Sequence, residues 1–102
     1  MTVFALAQIA IHDRQRYDRY AAAFMPVLTR YHGRLLAADE SPRVVEGEWP
    51  YEKAILMSFD TREHFEQWST SPEYREISRD REAATHGVVL LLDGIPAVGP
   101  VA

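Results

Sequence analysis

Three segments of this chain are apolar on both sides at once, and that limits the folds open to it more than any other feature. In an extended strand successive side chains point to opposite faces, so alternate residues share one environment. Along Val3–Ile11, Val3, Ala5, Ala7, Ile9 and Ile11 point one way, and Phe4, Leu6, Gln8 and Ala10 the other, with Gln8 the single polar exception. From Glu52 to Asp60, Ile55, Met57 and Phe59 share one side while Ala54, Leu56 and Ser58 share the other. From Gly87 to Asp93 the chain runs Val88, Val89, Leu90, Leu91, Leu92 without a break. A sheet built from such strands has two faces to hide from water.

The segments between them read as helices. Asp13 is a suitable N-cap, and Tyr17, Tyr20, Ala21, Phe24, Leu28 and Tyr31 then fall at helical spacing on one stripe. Pro26 removes a backbone hydrogen bond inside that stripe, which predicts a kink or loosening near Ala22 to Pro26. His32-Gly33 closes the helix, with Gly33 expected in the left-handed C′ position. Arg34 to Ala38 reads as a second strand. Asp39-Glu40-Ser41-Pro42 interrupts it as a turn or bulge, Arg43 to Glu46 is expected to resume it, and Gly47 with Trp49-Pro50 makes the next turn. Thr61 caps a short helix with Phe65 and Trp68 on its inner side. Ser71-Pro72-Glu73 starts another, pairing a Ser cap with Pro in the first position and an acid in the first turn. Its inner stripe is Tyr74, Ile77, Ser78 and Arg81.

The order β-α-β-β-α-β predicts an α+β, ferredoxin-like domain over residues 1–95: a four-stranded antiparallel sheet with helices on one face, followed by a loosely held tail at 96–102. Helices on one face leave the other bare. An exposed face that apolar exceeds what a monomer tolerates, and a second copy packed against it is the simplest cover. A homodimer is therefore expected. At 102 residues a lone domain buries only about two-thirds of its unfolded surface, which argues the same way.

Charge and motifs remove several function classes. The formal net charge is −4, the Arg residues are dispersed and Lys53 is the one lysine, so a nucleic-acid partner is not expected. With no cysteine there is no disulfide, thiolate zinc site or iron–sulfur cluster. His12, His64 and His86 lack ligand spacing, and no phosphate-binding glycine loop or nucleophile elbow is present, so neither metal nor cofactor is expected. The apolar N-terminal run stops at His12-Asp13-Arg14, short of the roughly 20 residues of a membrane span, and has no basic n-region. No membrane association is expected, and a cytoplasmic location is.

The runs Tyr31-His32-Gly33-Arg34-Leu35-Leu36, Val44-Val45-Glu46-Gly47-Glu48-Trp49, Ala54-Ile55-Leu56-Met57-Ser58-Phe59 and Trp68-Ser69-Thr70-Ser71-Pro72-Glu73-Tyr74 together resemble the family called domain of unknown function 1330. The likeness extends from Phe4 to about Gly94. The Ser-Pro-Glu-Tyr element and the Glu-Gly before the third strand are its more specific parts. The resemblance implies a place in the dimeric α+β barrel superfamily, which includes cofactor-free monooxygenases, muconolactone isomerases, small polyketide cyclases and haem-binding chlorite dismutases. The sequence departs from the family at Ala37-Ala38-Asp39-Glu40, where a glycine-containing turn is usual, and His32 stands for the first of a common Gly pair.

Such folds keep their pocket between helices and sheet, and Tyr17, Tyr20, His32, Arg34, Glu46, Trp68, Tyr74 and Arg81 are the candidates to line it. His32 can favour the helix dipole at a C-terminus or move a proton. Arg81, a cation on an inward stripe, calls for an ion pair with Glu46 or another acid, or else for an anionic substrate. Tyr17, Tyr20 and Tyr74 can be core residues with a polar tip, or Tyr20 can carry a proton. Glu46 can satisfy its turn, neutralise an Arg or act as a base. Trp68 and Trp49 suit packing, Trp49 being the better placed to touch a partner subunit. Three functions fit these residues: a cofactor-independent isomerase, cyclase or monooxygenase acting on a small organic substrate, with His32 and Tyr20 catalytic; a non-catalytic small-molecule-binding dimer; and a structural dimer whose interior is filled by its own side chains.

Overall fold

The computed structural model describes residues 1–96; from Ala97 on, the tail expected at 96–102 lies outside the described residues. Strand β1, Val3–Ile11, sits second from one edge of a four-stranded antiparallel sheet. It pairs on one side with β3, Lys53–Phe59, and on the other with β4, Thr85–Asp93, while β2, Arg34–Asp39, pairs with the outer side of β3. The order is β2-β3-β1-β4, the ferredoxin-like arrangement expected from the sequence. Register places Ala5 between Met57 and Leu91, and Leu6 between Leu56 and Leu90. Each apolar face therefore runs straight across the sheet.

Helices α1, Arg14–Arg30, α2, Arg62–Ser69, and α3, Pro72–Ala84, cover one face only. All three begin as the sequence proposes. The side chains of Asp13, Thr61 and Ser71 accept hydrogen bonds from the backbone N–H of Arg16, His64 and Tyr74, and so satisfy otherwise orphaned donors. Between the helices and the sheet lies the core: Val3, Ala5, Ile9, Leu28, Met57 and Phe59, capped by Tyr17, Tyr20, Phe24, Trp68 and Tyr74. Helices α1 and α3 are fastened at two places. Asp80 accepts from Arg16 and Arg19 (3.0 and 3.1 Å), and Glu73 accepts from the Tyr31 hydroxyl (2.8 Å) and pairs with Arg30 (3.3 Å).

The structure corrects four local expectations. Helix α1 runs unbroken through Pro26; both Pro26 and Ala22, whose carbonyl loses its partner, face solvent, where water can serve that carbonyl. At the end of α1 the left-handed residue is His32 (φ 67°), not Gly33. The His32 N–H donates to the Thr29 carbonyl (3.1 Å) and the Gly33 N–H to the Leu28 carbonyl (2.9 Å), the two crossed bonds of a Schellman end. Gly33 is needed for space: a Cβ there would strike the Leu28 side chain and come within 2.8 Å of Phe59 Cε1. Arg43 to Glu46 does not resume a strand but belongs to a long connection to β3, and β4 begins at Thr85, directly after α3.

That long connection crosses the helix-free face at one corner. The Trp49 indole N–H donates to the Gln8 side-chain oxygen at 2.8 Å, which pairs the one polar residue of that face of β1. Elsewhere the described residues leave the face open, with Leu90 and Leu92 at 45% and 44% exposure.

Candidate functional site

A cavity of about 320 Å³ lies between the helices and the covered face of the sheet. Its size follows from small residues at the centre. Ala5 and Ala7 on β1 form the floor where larger side chains would fill the layer, with Ile9, Ile55 and Met57 beside them. Aromatic rings form the roof. Tyr20 packs at a tilt between Tyr17 (5.8 Å between centroids) and Phe24 (5.6 Å), and Trp68 lies 4.1 Å from Tyr74 and 6.1 Å from Phe24. Ser71 sets the angle of that second group: its hydroxyl donates to the Trp68 carbonyl (2.8 Å) and accepts from the Tyr74 N–H (3.1 Å), turning the chain between α2 and α3. Ala21 and Met25 on α1, with Leu35 and Ala38 on β2, line the cavity and are also exposed, so it opens along the α1–β2 flank.

Inside, the hydroxyls of Tyr20 and Tyr74 share a hydrogen bond of 2.9 Å. Burial, reinforced by Tyr74, pushes the Tyr20 phenol well above its ordinary pKa. Tyr20 therefore stays protonated near neutral pH, which makes it a proton donor or relay rather than a base. Two cations face the cavity. Arg81 on α3 places its guanidinium 6.0 Å from the Tyr20 ring centre, and Lys53 on β3 places its ammonium 4.8 Å from the Tyr17 ring centre. The Arg81 Nε and Trp68 Nε1 donors are buried with no acceptor in reach, a feature that calls for explanation in a native fold.

Of the eight residues singled out from the sequence, five meet here: Tyr17, Tyr20, Trp68, Tyr74 and Arg81. The other three are elsewhere. His32 is exposed at the end of α1, its ring 4.8 Å from that of His64. Arg34 is exposed at the start of β2 and pairs in register with Ser58, which directs it to the helix-free side. Glu46 is exposed in the β2–β3 connection, in a shallow depression with Gln8, Trp49 and Ala54. The Arg81–Glu46 pair is thus not formed; Arg81 meets only Glu82, at 3.8 Å. Sequence reasoning missed Lys53, although parity marked it. Lys53, Ile55, Met57 and Phe59 fall on one side of a strand, so the chain's only lysine stood on the inward stripe. Among the described residues no three His, Asp or Glu side chains converge as a metal site, and no helix is long and apolar enough to cross a membrane.

Known structures share this fold. A protein of unknown function from Rhodopseudomonas palustris superposes with a TM-score of 0.79 at 16% identity, covering 93% of this chain and 83% of that one. SnoaB, a cofactor-independent oxygenase from Streptomyces nogalater, gives 0.68 at 9% identity, covering 97% and 98%. A dimeric protein of unknown function and ferredoxin-like fold from Bacteroides fragilis gives 0.66 at 12%, covering 91% and 96%. At such identities the likeness speaks for the fold alone. No curated protein matches the sequence. The family resemblance is specific, however, and spans nearly all of the chain: over residues 2–95 it matches, and so belongs to, the family described as Domain of unknown function (DUF1330).

Proposed function

We propose that this chain works as a homodimer joined through its helix-free sheet face, and that each subunit takes a small, partly apolar organic molecule into its own cavity and acts on it without a cofactor. The observation that carries the enzyme reading is the buried Tyr20–Tyr74 hydroxyl pair, 2.9 Å apart, in a mostly apolar cavity with Arg81 beside it. A neutral phenol whose oxygen is already hydrogen-bonded by a neighbour can donate its proton to a ligand oxygen as charge builds there. In a low-dielectric enclosure such a donation has its largest effect. SnoaB, whose fold this chain shares, is described as a cofactor-independent oxygenase, and the Bacteroides fragilis protein as dimeric. Both support the reading by analogy of fold. The cavity also speaks against an interior filled by its own side chains, because its volume falls within the range of roughly 300–1,000 Å³ usual for ligand sites.

One observation favours the non-catalytic alternative. Neither a histidine nor a carboxylate lines the cavity, so no ordinary base stands beside the tyrosines. Incubation with a library of small phenols, lactones and keto acids, followed by mass spectrometry, separates the two readings. If the enzyme reading holds, at least one compound is consumed, and Tyr20→Phe slows its turnover by roughly 100-fold with binding little changed. Compounds that bind but are never consumed leave a binding dimer.

A further inference from the structure

The walls of the cavity are unbalanced in charge. The whole chain carries a formal net charge of −4, yet Lys53 and Arg81 line the cavity and no carboxylate does. Lys53 takes part in no ion pair among the described residues, and Arg81 reaches only Glu82, 3.8 Å away and itself 67% exposed. What the two cations have instead are ring faces, those of Tyr17 and Tyr20, which lie next to each other at 5.8 Å. A ring face holds a cation without neutralising it. The Arg81 side chain is only 24% exposed, and withdrawing a charge from water without a counter-ion is costly. From Tyr20 the rings continue through Phe24 and Tyr74 to Trp68 and Phe65, with no further charge among them. The cavity thus has a cationic part beside Tyr17 and Tyr20 and an apolar aromatic part beyond.

We propose that the ligand is an amphipathic organic anion: a carboxylate or a similar single negative group, held by Arg81 and Lys53, on an aromatic or alicyclic body of one or two rings that lies along Phe24, Phe65 and Trp68. This rests on the reading of the cavity as a small-molecule site and narrows it to a substrate class. Arg81 supplies the planar donor pair that matches a carboxylate, and Lys53 adds a second charge from the sheet side. The anion in turn supplies what these cations lack within the protein.

The test compares acids with their own uncharged amides. The full chain is titrated with 2-naphthoate and 2-naphthamide, and with cyclohexanecarboxylate and its amide, by calorimetry. In parallel, the Trp68 indole N–H resonance is followed by NMR. It is assigned with Trp49→Phe, a change on the opposite face of the sheet. The expected result is that an acid shifts the Trp68 signal and binds at least about tenfold tighter than its amide, the ratio that one charge-assisted contact provides. Arg81→Gln should abolish that ratio, Lys53→Gln reduce it several-fold and Arg81→Lys retain part of it. Acids and amides that shift Trp68 with equal affinity would leave the pocket standing and overturn the anion. No shift with any of the four overturns both. Should Arg81→Gln fail to fold, the wild-type ratio and Lys53→Gln decide the matter alone.

Discussion

Val3, Ile9, Met57 and Phe59 on the helix-covered face of the sheet are at most 4% exposed, whereas Val88, Leu90 and Leu92 on the opposite face stand between 40% and 45%. The side chains are of the same kind and come from neighbouring strands. The difference lies in what covers them. Three helices bring an aromatic layer onto the first face and leave a cavity beneath it; among the described residues only Trp49 and its neighbours reach the second. A residue's place in the alternation settles which face it joins, and the helices settle which face the chain can bury by itself. The covered face holds the cavity in which the proposed ligand would sit, and the bare one is where the proposed second copy would pack.

The largest effects should come from damaging each face in turn and asking whether protein concentration matters. Trp68→Ala removes a ring packed against Phe24, Phe59, Phe65 and Tyr74 and should cost about 3–5 kcal/mol. Leu90→Asp puts a charge on the bare face, halfway along the edge strand β4 and opposite Leu6. In a homodimer the wild-type urea midpoint rises with protein concentration. Trp68→Ala should lower that midpoint and keep its dependence on concentration, while Leu90→Asp should abolish the dependence and sediment as a single chain. If wild type already sediments as a stable single chain at micromolar concentration, the comparison of faces loses its meaning.

That one face must be left bare could be read from sequence: alternation makes both faces apolar, and the helices can cover only one of them. The helix starts were legible as well, since Asp13, Thr61 and Ser71 each act through a bond to the residue three positions on. The site was harder. Tyr17, Tyr20, Tyr74 and Arg81 could be found because helical spacing carries them to one side. His32, Arg34 and Glu46 were drawn in by their chemistry, yet their positions depend on a helix end, a strand register and a long connection, none of which periodicity describes. The cavity itself comes from Ala5 and Ala7, residues that attract no notice in a list of chemical groups.

The end of α1 gives an intermediate pair of effects beneath the covered face. His32 holds a left-handed conformation (φ 67°) that a residue with a Cβ adopts at a cost of roughly 1 kcal/mol. His32→Gly relieves that strain but frees the unfolded chain, so a net gain of about 0.5 kcal/mol is expected. Gly33→Ala should act in the opposite direction and more strongly, by about 1–3 kcal/mol, since the added methyl meets Leu28 and Phe59. Equal and small effects at both positions, measured by urea denaturation, would mean that this turn does not set the packing of β2 against the covered face.

The smallest effect concerns acid and should touch the covered side alone. Asp80 is held below the usual carboxylate range by hydrogen bonds from Arg19 and then Arg16. Glu73 is held low by its own backbone N–H at the start of α3 and then by the Tyr31 hydroxyl. A carboxylate whose pKa is lower folded than unfolded stabilises the fold above its unfolded value, about 4, and that contribution is lost as pH falls through the lower folded value. Both acids sit on the seam between α1 and α3 that roofs the cavity, and the bare face gains nothing from either. Stability should thus be level from about pH 7 to pH 5 and decline below about pH 4. With Asp80→Asn the difference from wild type should be greatest at neutral pH and should shrink in acid. Because water still reaches both carboxylates and screens them, the change is small and needs urea midpoints at several pH values to be seen. If the proposed homodimer forms through the bare face, sedimentation at the acid end should still show it, since that face is apolar. Were the dimer to dissociate in step with the loss of stability, the two faces would not be independent, and the seam over the cavity would be coupled to the subunit contact.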